Sequence, residues 1–259
     1  MYNSGLDILP RGEPMGFSVG DSCFEHGTEL RSLESIRSSL KNPSCVGPET
    51  VYAIMMDVGK KADLAYLKRK MLLFGVVTYA KGRLGDEPIR SQGHIHKVSA
   101  HCGWSTPEVY EIWSGSAYIY MQEKPGDDPG KCYAVYAKPG DVVVVPPYWV
   151  HATISADMSE SLTFGAWCDR DYGFEYEDVR NHGGIAWFPM LKADGTVYWA
   201  ANSQYHHSSE LIKKTPESYI ELGLENGVPI YTQFEQDNER FLFVSEPARV
   251  EKQWENFVP

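Results

Sequence analysis

The chain has 259 residues, 42% of them apolar and 13% aromatic, enough to bury a sizeable core and to exclude intrinsic disorder. Twenty-four basic residues against thirty-five acidic ones leave a net charge of −11, which argues against nucleic acid as a partner, because phosphate backbones are held by clustered Lys and Arg. Apolar runs such as Met71–Val77 and Val142–Val145 fall well short of the roughly 20 residues that span a bilayer, and the start lacks a basic-then-apolar export pattern, so no membrane association and a cytoplasmic location are expected.

Along the chain, Thr28–Lys41 places Leu30, Leu33, Ile36 and Leu40 three or four apart with charges between them, the pattern of an amphipathic helix that Cys45–Pro48 ends. A second helix is read over Lys61–Lys70. From Leu72 to Trp167 the sequence changes to short runs rich in Val, Tyr, Ile and Trp, bounded by turn signals such as Lys138-Pro139-Gly140-Asp141. This is an all-β core. A hairpin follows, Ala186–Leu191 turning at Ala193-Asp194-Gly195 into Thr196–Ala200, and Pro216–Gly223 reads as a short helix. There is no internal repeat and no linker-like run, which predicts one body: an N-terminal segment (1–70), the β core (71–200) and a packed C-terminal extension (201–259). The five cysteines are scattered and never spaced Cys-x-x-Cys, so neither a disulfide framework nor a thiolate zinc site is expected.

The chemistry concentrates in two segments. In Gly93-His94-Ile95-His96, residues two apart on a strand face one side, so His94 and His96 present both imidazoles to one point. After eleven residues the next strand offers Glu108, Tyr110 and Ile112 on one face and Val109, Glu111 and Trp113 on the other, so only one of the two carboxylates can join them. A lone His-x-His is more often a hydrogen-bonded pair than a metal site. What changes the balance is the run Pro139–His151, in which a turn, an apolar strand and a Pro146-Pro147 corner deliver a third histidine, His151. Neutral imidazole and carboxylate together suit Fe2+, Mn2+, Ni2+ or Zn2+.

These segments resemble the cupin superfamily. Glu108, six residues and Gly115 fit its first motif, and Gly140, five residues, Pro146, four residues and His151 fit its second, with Lys97–Pro107 as an inserted loop. The Glu108–Gly115 spacing survives the insertion and selects Glu108 over Glu111. More narrowly, Ser91-Gln92-Gly93-His94-Ile95-His96, Glu108-Val109-Tyr110 and Val145-Pro146-Pro147-Tyr148-Trp149-Val150-His151-Ala152-Thr153 resemble the cupin-type glucose-6-phosphate isomerases. The resemblance covers about Val51–Gly173.

It implies a single cupin jelly-roll (double-stranded β-helix) barrel, all-β, with N-terminal helices and a C-terminal extension. It also implies one divalent transition metal, Fe2+ first, held by His94, His96, Glu108 and His151. The implied activity interconverts glucose 6-phosphate and fructose 6-phosphate, the ion holding O1 and O2 of the sugar and stabilising the enediolate. Glu108 is the nearest carboxylate to the metal and the candidate base, with a hydride shift as the competing route if it stays coordinated, and Tyr110 either orients the sugar oxygens or packs the barrel. Phosphate is assigned to Thr78, Ser91 and Gly93, and Tyr176 is retained as an aromatic substrate contact. Cys168 and Phe174 stand where the family has Tyr and His; Arg83, Arg90, Lys97 and Arg170 are candidate replacements, each of which otherwise reads as a solvated surface charge. The family also implies a homodimer, with a small-molecule sugar phosphate as the ligand. Two other classes remain open: a cupin dioxygenase or isomerase of another small molecule, and a non-catalytic sugar-binding cupin. His26 and His182 have no partner pattern, His206-His207 cannot point the same way if extended, and His101 lies in the inserted loop within reach of the site's mouth; none is assigned chemistry.

Overall fold

A computed structural model describes residues 2–259. Two antiparallel sheets face each other. The larger, six-stranded, runs Val142–Val145, Glu108–Ser114, Thr163–Asp169, Leu72–Tyr79, Thr50–Met55 and Glu29–Ser32. The smaller runs Val150–Ser155, Ala117–Gln122, Cys132–Ala137 and Leu211–Lys214, the last strand pairing in parallel. From Glu108 onward the chain passes from sheet to sheet: Glu108–Ser114 lies in the large sheet, the next two strands in the small one, Val142–Val145 in the large, Val150–Ser155 in the small and Thr163–Asp169 back in the large. This winding is the cupin-type jelly-roll, and the strands predicted between Leu72 and Trp167 build it.

Alternation sorts the side chains of the large sheet. Tyr110 and Ile112 point between the sheets with Val143, Val145, Ile119, Met121 and Val135, while Val109 and Trp113 point outward to Phe74, Val144 and Trp167. That outer face is not left to solvent. The C-terminal extension covers it with Tyr231, Phe234 and Phe241, whose rings lie 5.4, 4.9 and 5.3 Å from that of Trp167. Leu6, Ile8 and Phe17, around the N-terminal Ile8–Arg11/Gly16–Val19 hairpin, join the same cluster.

Local readings fared unevenly. Leu64–Arg69 is helical within the expected Lys61–Lys70 window, and Trp187–Leu191 pairs with Val197–Ala201 as a hairpin. The expected helix over Thr28–Lys41 is a correction: Glu29–Ser32 is an edge strand on Thr50–Met55, and only Leu33–Ile36 and the 3-10 turn Arg37–Ser39 coil. Strand pairing with a segment twenty residues away decides it, and Leu30, on that edge, stays 52% exposed, while Leu33, Ile36 and Leu40 are buried. The helix over Pro216–Gly223 shrinks to Ile220–Leu222, closed by Gly223 in the left-handed region. Among the described residues no helix is long and apolar enough to cross a membrane.

Candidate metal centre

Glu108 begins its strand opposite Val145, and its side chain points between the sheets. His94 and His151 face each other across an isolated antiparallel bridge, each backbone N–H donating to the other's carbonyl at 3.0 and 2.9 Å. Gly93, at φ +90°, turns the chain into this bridge, and a Cβ there would meet Ile185 at 2.6 Å. His96 lies on the two-residue strand Ile95–His96, paired with Phe174–Glu175. The outcome is a cluster of half-buried His94 with buried His96, Glu108 and His151, whose ligand atoms all lie within 4.8 Å of one another.

Two of the imidazoles are held in one tautomer. His96 Nδ1 donates to the Thr106 carbonyl at 2.8 Å and His151 Nδ1 to the Trp149 carbonyl at 3.2 Å, leaving each Nε2 with a lone pair aimed inward. The inserted loop and the Pro-Pro-Tyr-Trp corner thus each supply a carbonyl that orients a histidine. The loop is pinned by Asp171, which accepts from Ala100 N at 2.7 Å and from the Ser99 hydroxyl at 3.3 Å.

Burial holds His94 well below the usual imidazole range, helped by the neighbouring His151 and His96, and burial lowers His151 as well. Burial disfavours the charge on Glu108, yet the groups of His151 and His96, whose Nε2 atoms lie 3.1 and 3.4 Å from Oε2, outweigh it and hold the carboxyl well below its ordinary range. Tyr110 donates to Oε2 at 2.8 Å and the Cys168 thiol to Oε1 at 3.1 Å. Both donors keep their protons, burial first and the Glu108 charge second pushing their pKa values well above the usual range. The Nε2 atoms of His94 and His96 are enclosed without a hydrogen-bond partner. Three imidazoles, an ionised carboxylate and two enclosed Nε2 atoms without a partner make up the donor set of a divalent transition-metal site.

Beside the cluster is a cavity of about 70 Å³ whose walls include Tyr52, Tyr79, Ser91, Gln92, Thr153 and Phe174. Tyr110 and Tyr176 also line it. Of the sequence-assigned phosphate contacts only Ser91 is a wall residue; its Oγ accepts from Thr153 N at 3.0 Å. Thr78 is turned to the other face of its strand, its hydroxyl 2.9 Å from that of Thr163, while Val77 and Tyr79 face the cavity, and Gly93 is not a wall residue. Tyr52, Tyr79 and Thr153 escaped the sequence reading. Thr153 had a usable signal, since it stands two residues after His151 on one strand face.

The candidate cations are placed elsewhere. Arg90 is a correction to the solvated reading: fully buried, it donates to Glu87 at 2.8 Å and to the carbonyls of Ser39 and Ser91 at 2.7 and 2.9 Å. Arg170 is bidentate on Asp57, Lys97 faces Asp171, and Arg83 is exposed on a separate hairpin.

The sequence model of the family described as Glucose-6-phosphate isomerase (GPI) matches residues 28–208, well over half of the chain. The chain belongs to the glucose-6-phosphate isomerase family. Among its relatives, the glucose-6-phosphate isomerase of Sinorhizobium medicae is 29% identical over 114 residues, 44% of this chain and 49% of that protein. That of Pyrococcus furiosus is 30% identical over 112 residues, 43% of this chain and 54% of that protein. The chain thus spans about half the length of the curated relatives it matches. Among solved structures, an oxalate oxidase aligns at 13% identity and TM-score 0.35 over 48% of this chain and 53% of its own. The oxalate decarboxylase of Bacillus subtilis aligns at 14% and 0.35 over 59% and 30%.

Proposed function

We propose that this family member is a metal-dependent aldose–ketose isomerase that interconverts glucose 6-phosphate and fructose 6-phosphate. The observation that carries the reading is the gathering of three imidazoles and one carboxylate, with two inward nitrogens lacking any partner, at the wall of a cavity inside the jelly-roll. His94, His96, Glu108 and His151 would hold the ion, and their imidazole and carboxylate donors suit Fe2+, Mn2+, Ni2+ and Zn2+ alike. When bound, such an ion polarises a sugar carbonyl and the neighbouring hydroxyl and stabilises negative charge spread over both. Tyr110 keeps its proton and fixes the orientation of Glu108, and the Ser91 and Thr153 hydroxyls offer neutral partners to sugar oxygens.

Moving hydrogen between C1 and C2 through solvent-exchangeable steps needs a base, and Glu108 is the one carboxylate among the cavity walls. Each of its oxygens already accepts a hydrogen bond, Oε1 from Cys168 and Oε2 from Tyr110. That occupancy favours a direct hydride shift as the second reading of the same reaction. Fructose 6-phosphate conversion in D₂O separates the two: deuterium at C2 of the glucose 6-phosphate formed indicates the base, and its absence the shift. The function itself is tested by a coupled assay on chelator-stripped protein before and after adding Fe2+ or Mn2+. Stripping abolishes turnover and the ion restores it; activity indifferent to both treatments would overturn the proposal.

A further inference from the structure

A phosphate ester carries nearly two negative charges at neutral pH, yet the cavity walls carry no Lys or Arg. With a volume of about 70 Å³, well below the few hundred cubic ångströms of an ordinary small-molecule pocket, the cavity takes in the reacting end of a sugar and leaves the rest of the molecule outside. Beyond it, and sharing Ile54 and Met56 with it, opens a vestibule of about 520 Å³ bounded by Glu29, Asp57 and Tyr172. That is the scale of a small-molecule site.

One cation neighbours a wall of each space, Tyr52 of the cavity and Glu29 of the vestibule. Arg31 is directly opposite Tyr52 in the antiparallel pairing of Glu29–Ser32 with Thr50–Met55, so the two side chains share a face. Its guanidinium lies near the hydroxyls of Tyr52 and Tyr176, both of them cavity walls, and takes its hydrogen-bond partner from Glu29. The Arg31 side chain is 23% exposed, and its carboxylate partner, Glu29, is 59% exposed and two residues away. Such a surface pair contributes little and yields readily to a better anion. Arg180, by contrast, donates to Gln92 at 3.0 Å and lies over the Tyr176 ring at 5.0 Å, bracing the wall from the other side.

We infer that Arg31 is the phosphate anchor of this enzyme: the phosphate of a sugar phosphate whose carbonyl end lies at the histidine cluster displaces Glu29 and is held by the Arg31 guanidinium with the Tyr52 and Tyr176 hydroxyls. The inference rests on the isomerase reading for its substrate. It makes Arg31 the residue that discriminates a phosphorylated hexose from a free one, and it gives the chain an anchor that does not depend on the family Tyr and His replaced by Cys168 and Phe174. A guanidinium with two flanking hydroxyls matches the oxygens of a phosphate better than a lone lysine would.

The test is calorimetric binding of fructose 6-phosphate and of fructose to metal-loaded protein, native and substituted. Arg31→Gln weakens fructose 6-phosphate about 10- to 100-fold, the range for a lost charge-assisted hydrogen bond, and leaves fructose unchanged. Arg31→Lys recovers part of the loss, and Arg83→Gln, which removes the same charge from an exposed hairpin, has no effect. Glu29→Gln, at an exposed side chain, tightens fructose 6-phosphate a few-fold by freeing Arg31, so the idea stays testable even if Arg31→Gln folds poorly. Native protein that binds fructose 6-phosphate no tighter than fructose, or an Arg31→Gln variant with native affinity, would sink the inference. Turnover of fructose 6-phosphate by the native chain is scored separately, so loss of the anchor and loss of the isomerase reading are distinguishable.

Discussion

Two carboxylates three residues apart on one strand, Glu108 and Glu111, are both buried, and the fold makes them opposites. Glu108 faces between the sheets, where groups of His151 and His96 overcome the cost of burial and keep it ionised. Glu111 faces outward, where it accepts from Ile230 N at 2.8 Å and from the Trp113 indole at 3.0 Å and ties the C-terminal extension to the sheet. There burial wins over those two hydrogen bonds and raises its pKa to about 7. Residue type is the same; the partners decide whether the group is a ligand or a clasp.

The largest expected effect breaks the inner side. Glu108→Gln removes the cluster's one negative charge and should cost isomerisation about a thousandfold or more, since a catalytic ion contributes several kcal/mol. Metal retained after gel filtration and counted by elemental analysis should fall with it. A variant that keeps both its metal and its rate would show that the carboxylate on the histidine side is not the ligand.

The outer side is broken by pH. Because Glu111 titrates at about 7 folded and at 4.5 in its ordinary state, the folded protein holds a proton there that the unfolded chain has lost between those values. Its contribution to stability is therefore favourable below pH 4.5, falls as pH rises to about 7, and changes by about 3 kcal/mol in all. Glu111→Gln should remove that slope from urea titrations of chelated protein at pH 5 and 7.5. An unchanged difference between the two pH values would mean the carboxyl titrates normally.

Much of this contrast was legible beforehand, because period-two alternation assigns Glu108 and Glu111 to opposite faces without any knowledge of the partner strands. The motif spacing then named the inward one. What stayed hidden depends on pairing between distant segments. Leu30, Leu33, Ile36 and Leu40 carry a true helical period, yet Glu29–Ser32 is drawn into the sheet by Thr50–Met55, which sets Arg31 opposite Tyr52 of the cavity wall. The placement of Thr78 has the same root: strand register decides which of two neighbours faces inward, and no local pattern in Val76-Val77-Thr78-Tyr79 reveals it. The tautomer-setting carbonyls of Thr106 and Trp149 are backbone groups, which leave no trace in residue identity.

A smaller effect sharpens the inner side. Tyr110→Phe removes the 2.8 Å hydrogen bond to Glu108 Oε2 while keeping the ring, and metal affinity should fall about 10- to 100-fold, as when other partners of metal ligands are deleted. Competition with a fluorescent chelator measures it. Native affinity in this variant would leave Tyr110 a packing residue only.

The smallest effect is expected on the outer face, at Thr78. Its hydroxyl is 2.9 Å from that of Thr163, and both side chains are buried. Thr78→Val keeps the shape and leaves the Thr163 hydroxyl without its partner, a loss of about 1 kcal/mol in stability. Thr78→Val combined with Thr163→Val should regain most of that, because removing both partners leaves no buried polar group unsatisfied. Neither protein should change KM for fructose 6-phosphate, whereas Ser91→Ala, at a wall of the cavity, should raise it. If Thr78→Val alone raised KM while the double variant did not restore it, the hydroxyl would be reaching the substrate after all, and the register that separates the two faces of this strand would have to be redrawn.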